Sequence, residues 1–118
     1  MKYRIYLIKD EYKVMFNEHP QAFYKLMLLN NLQSYQMVNH YSVSELFNGI
    51  SYFYDRDDLL VVSSIIIIEN NLTRVTYTLE VFNNYLEVNI VEHNPFLDYI
   101  ERVSPKFLIF DEMEHLLL

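Results

Sequence analysis

Cysteine is absent from this sequence, and glycine occurs only once, at Gly49. Without cysteine the chain forms no disulfide, binds no metal through thiolates and offers no thiolate nucleophile. Phosphate-binding loops need several glycines, because their backbone must turn tightly and approach the ligand closely. The single glycine therefore excludes both a P-loop and a dinucleotide-binding fingerprint.

Long apolar runs are also absent. The longest uncharged apolar run, Leu59–Ile68, is about half as long as a membrane span requires, and two serines interrupt it. The N-terminal apolar stretch is too short for a signal peptide and leads directly into charged residues. We therefore expect a soluble, cytoplasmic protein.

Positive charge is scarce outside the first third of the chain. Residues 1–40 carry five basic and three acidic side chains, whereas residues 41–118 carry four basic and thirteen acidic ones, which together give a net charge of −7. An acidic protein repels nucleic-acid phosphates, so we expect no direct nucleic-acid binding. At 118 residues and 52% apolar composition, the sequence predicts one folded domain over residues 1–118.

The first half of the chain predicts a strand followed by helices. Tyr3–Ile8 is aromatic and β-branched, as in a strand, and Asp10 is a candidate helix cap. Pro20 suits the first turn of a second helix. The spacing of Ser42 and Glu45 is that of a capping box, which begins a short apolar stripe. Between these helices we expect a loop over Gln33–Tyr41.

The second half predicts an antiparallel meander. Leu59–Glu69 is apolar at almost every position, which indicates one central buried strand. Val75–Val81 alternates apolar and polar residues, as in a strand with one wet face. Asn83–Asn84 suits a two-residue type I′ hairpin, and the return strand over 86–90 places Glu87 opposite Glu80.

Asn94 and Pro95 form a helix start, with asparagine as the cap and proline at the first helical position. A final apolar strand covers Lys106–Phe110. These elements predict an α+β domain of about five strands, largely antiparallel with a three-stranded meander. Three to four helices cover one face of this sheet, and we expect the other face to stay open.

No catalytic constellation stands out among the polar residues. The four histidines form no HxH or HExxH pattern, so we predict no metal site and no cofactor. If the chain were a small enzyme, Glu92, His93 and Tyr99 would be the candidates for acid–base chemistry. We expect instead that the protein is not an enzyme.

Aromatic residues near the N-terminus suggest a binding surface. Tyr12 and Phe16 are four residues apart and share one helical face. Aromatic side chains are effective interface anchors, because they bury a large area at little cost in rotamer entropy. Lys9 and Lys13 flank the pair, so this patch would be aromatic with a basic rim.

Two segments carry a resemblance to a known family. Tyr6–Glu11 (YLIKDE), followed by Tyr12, lies near the N-terminus, and Arg102–Leu108 (RVSPKFL) with Asp111 lies near the C-terminus. Together they resemble the sporulation inhibitor of replication family, SirA, of Bacillus-like Firmicutes. The region between them is similar to the family only in the order of its elements.

The resemblance implies a regulator of chromosome replication. Members of the family bind the N-terminal domain of the replication initiator DnaA and block new rounds of initiation as cells commit to sporulation. Carried over to this chain, the segment after the first strand would contact DnaA, with Tyr12 and Phe16 as the aromatic anchors. The first alternative is a protein-binding module or regulator with an unrelated partner. The second, which ranks below it, is the small enzyme using Glu92 and His93.

Overall fold

A six-stranded antiparallel sheet forms the centre of the protein. The computed structural model describes residues 2–29, 31–54, 58–70, 72–103 and 107–111. The strands are β1 (Lys2–Leu7), β2 (Leu59–Val62), β3 (Ile65–Asn70), β4 (Val75–Val81), β5 (Leu86–Asn89) and β6 (Phe107–Phe110). They lie in the sheet in the order β2-β3-β4-β5-β1-β6. The helices are α1 (Lys13–Glu18), α2 (Pro20–Leu29), α3 (Leu32–Met37), α4 (Val43–Tyr54) and α5 (Pro95–Val103), and a 3-10 turn (Asp10–Tyr12) precedes α1. The predicted α+β class is confirmed, with one strand more than expected.

One hydrophobic cluster lies between the sheet and helices α4 and α5. Ile5 and Leu7 of β1 belong to it, as do Ile50 of α4 and Phe96 of α5. Ile66, Leu79 and Val88 contribute from the neighbouring strands. This is the layer expected from the alternation of apolar residues along the meander.

A second cluster lies on the opposite face of β1. Successive side chains of a strand point to opposite faces, so Tyr6 and Ile8 leave the first cluster and pack with Phe23 and Met27 of α2. Leu108 and Phe110 of β6, and Met37 of α3, complete this layer. Helices therefore cover both faces at the β1–β6 end of the sheet, where we expected helices on one face only.

Leu59–Glu69 forms two strands rather than one central strand. The chain reverses at Ser63, whose φ of 56° is in the left-handed region, and β2 pairs back along β3. β2 is a largely exposed edge strand, whereas β3 buries Ile66 and Ile68. The expectation of a single buried strand was wrong, because an apolar run without periodicity does not show where the chain turns.

The expectation of a loop over Gln33–Tyr41 was wrong for its first part, because helix α3 covers Leu32–Met37. Asn31 caps this helix, since its side chain accepts a hydrogen bond from the backbone N–H of Ser34 at 3.1 Å. Asn84, which is 5% exposed, donates from Nδ2 to Asn31 O and to Ser34 Oγ. The connection between β4 and β5 therefore holds α3 in place.

The predicted type I′ hairpin at Asn83–Asn84 was wrong. Neither Asn83 nor Asn84 has the positive φ that a type I′ turn requires.

The predicted helix starts are largely confirmed. α2 begins at Pro20, the Ser42 hydroxyl accepts from Glu45 N at 3.1 Å before α4, and Asn94 Oδ1 accepts from Phe96 N at 3.0 Å in α5. Asp10 is the exception: it lies inside the 3-10 turn, and Lys9 occupies the cap position. The Asp10 carboxylate instead forms an ion pair with Lys13, because the two side chains lie on one face three residues apart.

The face of the sheet opposite α4 and α5 is uncovered along β2, β3 and β4 in the described part of the chain. Glu80 lies directly across from Glu87, as the sequence predicted. Lys2 Nζ lies 4.0 Å from a carboxylate oxygen of each, so a cation offsets the repulsion between the two. Among the described helices, none has the length and apolar character needed to cross a membrane.

Candidate functional site

The segment that carries the predicted binding residues leaves the end of β1 and continues as the 3-10 turn and α1. Its position is fixed by the strand before it and by α3. Lys9 N donates to Met37 O at 3.0 Å, and Asn39 N donates to Leu7 O at 2.6 Å. Ile8 forms an isolated antiparallel bridge with Val38. The segment is therefore anchored at its start to the second hydrophobic cluster.

Tyr12 and Phe16 are both half-buried and pack on the second cluster. Phe16 makes edge-on contacts with Phe23 and Tyr24, with ring centroids 5.5 Å and 5.7 Å apart. Such contacts hold an aromatic side chain in one orientation while part of its surface stays exposed. The structure thus brings the two predicted residues to one surface and anchors both from below.

The basic rim is present but partly neutralised. Lys9 and Lys13 are half-buried beside the aromatic pair, and Lys13 Nζ lies 2.7 Å from Asp10 Oδ1. The Asp10 side chain is 85% exposed, so solvent screens the pair and its net contribution to stability is small. Val14 is 64% exposed, but it lies two residues from both Tyr12 and Phe16 and therefore on a different side of the helix. We define the α1 surface as Lys9, Tyr12, Lys13 and Phe16.

The α1 surface has the composition of a protein-binding surface. Its centre is aromatic and its edge is charged, which is the usual arrangement of a small interface. This composition is suited to contact with another protein.

The residues considered for an enzyme lie in two different environments. Glu92 and His93 are within 3.6 Å of each other, but their side chains are 89% and 90% exposed in the turn before α5. Enzymes tune such pairs by removing them from water, and this pair is fully hydrated. Tyr99 is only 6% exposed and packs edge-on against Phe53. Burial, assisted by the charge interaction with Tyr41, raises the pKa of Tyr99 above that of an ordinary phenol.

A pocket of about 310 Å³ lies between the β4–β5 connection and the segment joining α3 to α4. His40 forms part of its wall: the ring stacks on Tyr35 at 3.8 Å. Its Nδ1 lies 3.0 Å from Asn83 O, and its Nε2 lies 2.6 Å from Tyr35 O. Both neighbours are backbone carbonyl oxygens, which can only accept, so a ring nitrogen that carries a proton is the donor, and His40 bridges α3 and the β4–β5 connection. No sequence motif pointed to this contact, because its members are 43 residues apart.

The two segments that carry the family resemblance lie side by side. β1 pairs with β6 so that Tyr6 is opposite Leu108, and the α1 surface begins where β1 ends. Arg102 and Val103 end α5, while residues 104–106 of the second segment lie outside the described residues. The sequence matches no protein-family model and no curated protein.

Proposed function

We propose that this chain is a non-enzymatic regulatory protein that binds another protein through the α1 surface. The N-terminal domain of DnaA is the partner, and the consequence is inhibition of replication initiation. The partner and the outcome rest on the resemblance at the two ends of the chain. The observation that supports the surface is the half-buried state of Tyr12 and Phe16, which are anchored on the core and still accessible.

The mechanism is steric. An anchored aromatic side chain loses little conformational entropy when a partner covers it, so its remaining apolar area contributes directly to affinity. Lys9 and Lys13 place positive charge at the edge of an otherwise acidic protein, which orients the partner during encounter. Occupation of one face of the initiator domain would then exclude other proteins, or another initiator copy, from that face.

The first test is a binding titration of the whole chain against the purified N-terminal domain of DnaA from the same organism. Truncation of a central interface aromatic costs about 2 kcal/mol or more, so Tyr12→Ala should weaken binding about 30-fold. Tyr52→Ala is the matched control, because Tyr52 is 88% exposed on α4, away from the α1 surface. It should leave the affinity unchanged.

Phe16→Ala tests binding less directly, because Phe16 also contacts Phe23 and Tyr24, and its loss would affect folding as well as affinity.

Lys9→Glu reverses one charge of the basic rim, and Lys9 lies outside the buried clusters. The variant should slow association with the partner and reduce the salt dependence of the association rate. Circular dichroism checks that each variant is folded. If the wild-type chain fails to bind the DnaA domain at high micromolar concentration, the partner is wrong. If Tyr12→Ala binds as tightly as the wild-type chain, the surface is wrong.

A further inference from the structure

β2 lies at one end of the sheet, and no strand of the described part of the chain pairs with its outer edge. Its four residues are Leu59, Leu60, Val61 and Val62. Leu60, Val61 and Val62 are 39%, 41% and 55% exposed. An apolar edge strand with free backbone groups is a template for pairing with another strand.

Natural proteins usually protect such an edge, and β2 carries few of the protective devices. It contains no proline and no charged residue, and its register with β3 runs without a bulge from Leu59–Ile68 to Val62–Ile65. Of these protective features β2 has only its short length, since four residues can form few hydrogen bonds with another strand. As far as the described strands go, the edge is therefore open to a second strand.

The register identifies the backbone groups that face outward. Hydrogen-bonded and non-hydrogen-bonded pairs alternate along an antiparallel ladder. Glu69 N donates to Asp58 O, so Asp58, Leu60 and Val62 direct their backbone groups toward β3. The N–H and C=O groups of Leu59 and Val61 must then point away from the sheet.

We propose that two copies of this chain associate through antiparallel pairing of β2 with β2. A two-fold axis beside Leu60 places Leu59 of one copy opposite Val61 of the other. By symmetry, Val61 of the first copy lies opposite Leu59 of the second. Each of these two pairs exchanges two N–H···O=C bonds, so four bonds join the copies. The six-stranded sheets become one sheet of twelve strands with an isologous interface.

Side chains and charge favour a second copy as the occupant. Leu60 faces its own counterpart across the axis in a non-hydrogen-bonded pair, where side chains are closest. Leu60 lies opposite Ile67 of β3, so an apolar row of Ile67, Leu60 and their two counterparts crosses the uncovered face. The antiparallel direction puts the acidic Asp58 beside Val62 of the other copy, so the Asp58 carboxylates of the two copies do not face each other.

The dimer leaves the α1 surface exposed. β2 is at the opposite end of the sheet from β1 and β6, against which the second cluster and α1 pack. Each dimer would therefore present two α1 surfaces at its far ends. The dimer does not depend on the proposed partner, and the two can be tested separately.

Sedimentation velocity of the purified full chain, at concentrations up to about 1 mM, tests the proposal. We expect the average mass to rise with concentration from monomer to dimer. Val61→Pro removes an outward N–H without touching the β2–β3 ladder, and proline is tolerated at such edge positions. It deletes two of the four bonds, so we expect the dimer dissociation constant to rise at least about tenfold.

Val61→Thr is the matched control, because it keeps the N–H and the β-branched shape. It should dimerise like the wild-type chain. If Val61→Pro does not fold, Leu60→Lys replaces it, since two ammonium groups would meet across the axis and separate the copies. Sedimentation as a monomer at every concentration overturns the proposal, as does a dimer that neither variant weakens.

Discussion

Gly49 is the only glycine in the chain, and its role is to leave space for Tyr99. Its φ is not positive, so the position does not need the conformational freedom of glycine. A methyl group built at Gly49 would overlap the hydroxyl oxygen of Tyr99, which is buried against α4. The absence of a side chain is what lets α4 and α5 pack closely here.

We predict that Gly49→Ala destabilises the protein. Overpacking costs about 1–3 kcal/mol, and the better helix propensity of alanine returns about 0.5–1 kcal/mol. The expected net loss is therefore up to about 2.5 kcal/mol, measured by chemical denaturation. Adding Tyr99→Phe removes the overlapping oxygen, so the double variant should recover part of the loss. An alanine variant as stable as the wild type would mean that Tyr99 has room to move.

Asn94 shows how one residue can determine where an element begins. Its Oδ1 accepts from Phe96 N at 3.0 Å, and its Nδ2 donates to Asn89 O at 2.9 Å. The side chain thus caps α5 and ties it to the end of β5. Pro95 follows at the first helical position, where its missing N–H costs nothing.

At the level of the element, we predict that Asn94→Ala destabilises the protein by about 1–2 kcal/mol, the usual cost of losing a helix cap. Asn94→Ser keeps a capping oxygen but loses the bond to Asn89, so its loss should be smaller. Denaturant unfolding of the two variants measures the difference. Equal stability of Asn94→Ala and the wild type would show that packing alone holds the start of α5.

The two hydrophobic clusters share strand β1, which couples them across the molecule. Ile5 and Leu7 belong to the first cluster, and Tyr6 and Ile8 to the second. Neither layer of helices can leave the sheet without exposing one face of the same strand. The α1 surface therefore depends on the whole sheet, although its residues are contiguous in sequence.

For the whole molecule, we predict a single cooperative unfolding transition. Ile8→Val and Ile50→Val are a matched pair, because each shortens a buried isoleucine in a different cluster. Each should cost about 0.5–1.5 kcal/mol and shift the entire transition. Far-ultraviolet circular dichroism and the near-ultraviolet tyrosine signal should move together. A separate early transition in Ile8→Val would show that α1, α2 and α3 unfold on their own.

The sequence by itself determined the features that depend on neighbouring residues. The starts of α2, α4 and α5 could be predicted because proline, serine and asparagine act on the backbone within one helical turn. The alternation over Val75–Val81 predicted β4, because a half-buried strand has a period of two. The pairing of Glu80 with Glu87 followed from the same alternation.

Only the tertiary structure decided the features that depend on distant residues. The turn at Ser63 lies within an apolar run whose composition suits either one long strand or two short ones. The run forms two strands, because β3 pairs with β4 on one side and with β2 on the other. α3 is held by Asn84, which is 50 residues away from Ser34 in the sequence. The half-burial of Phe16 is set by α2 packing beneath it, and that of Tyr12 by its packing on the second cluster. Exposure is a property of the packed layers rather than of the segment itself.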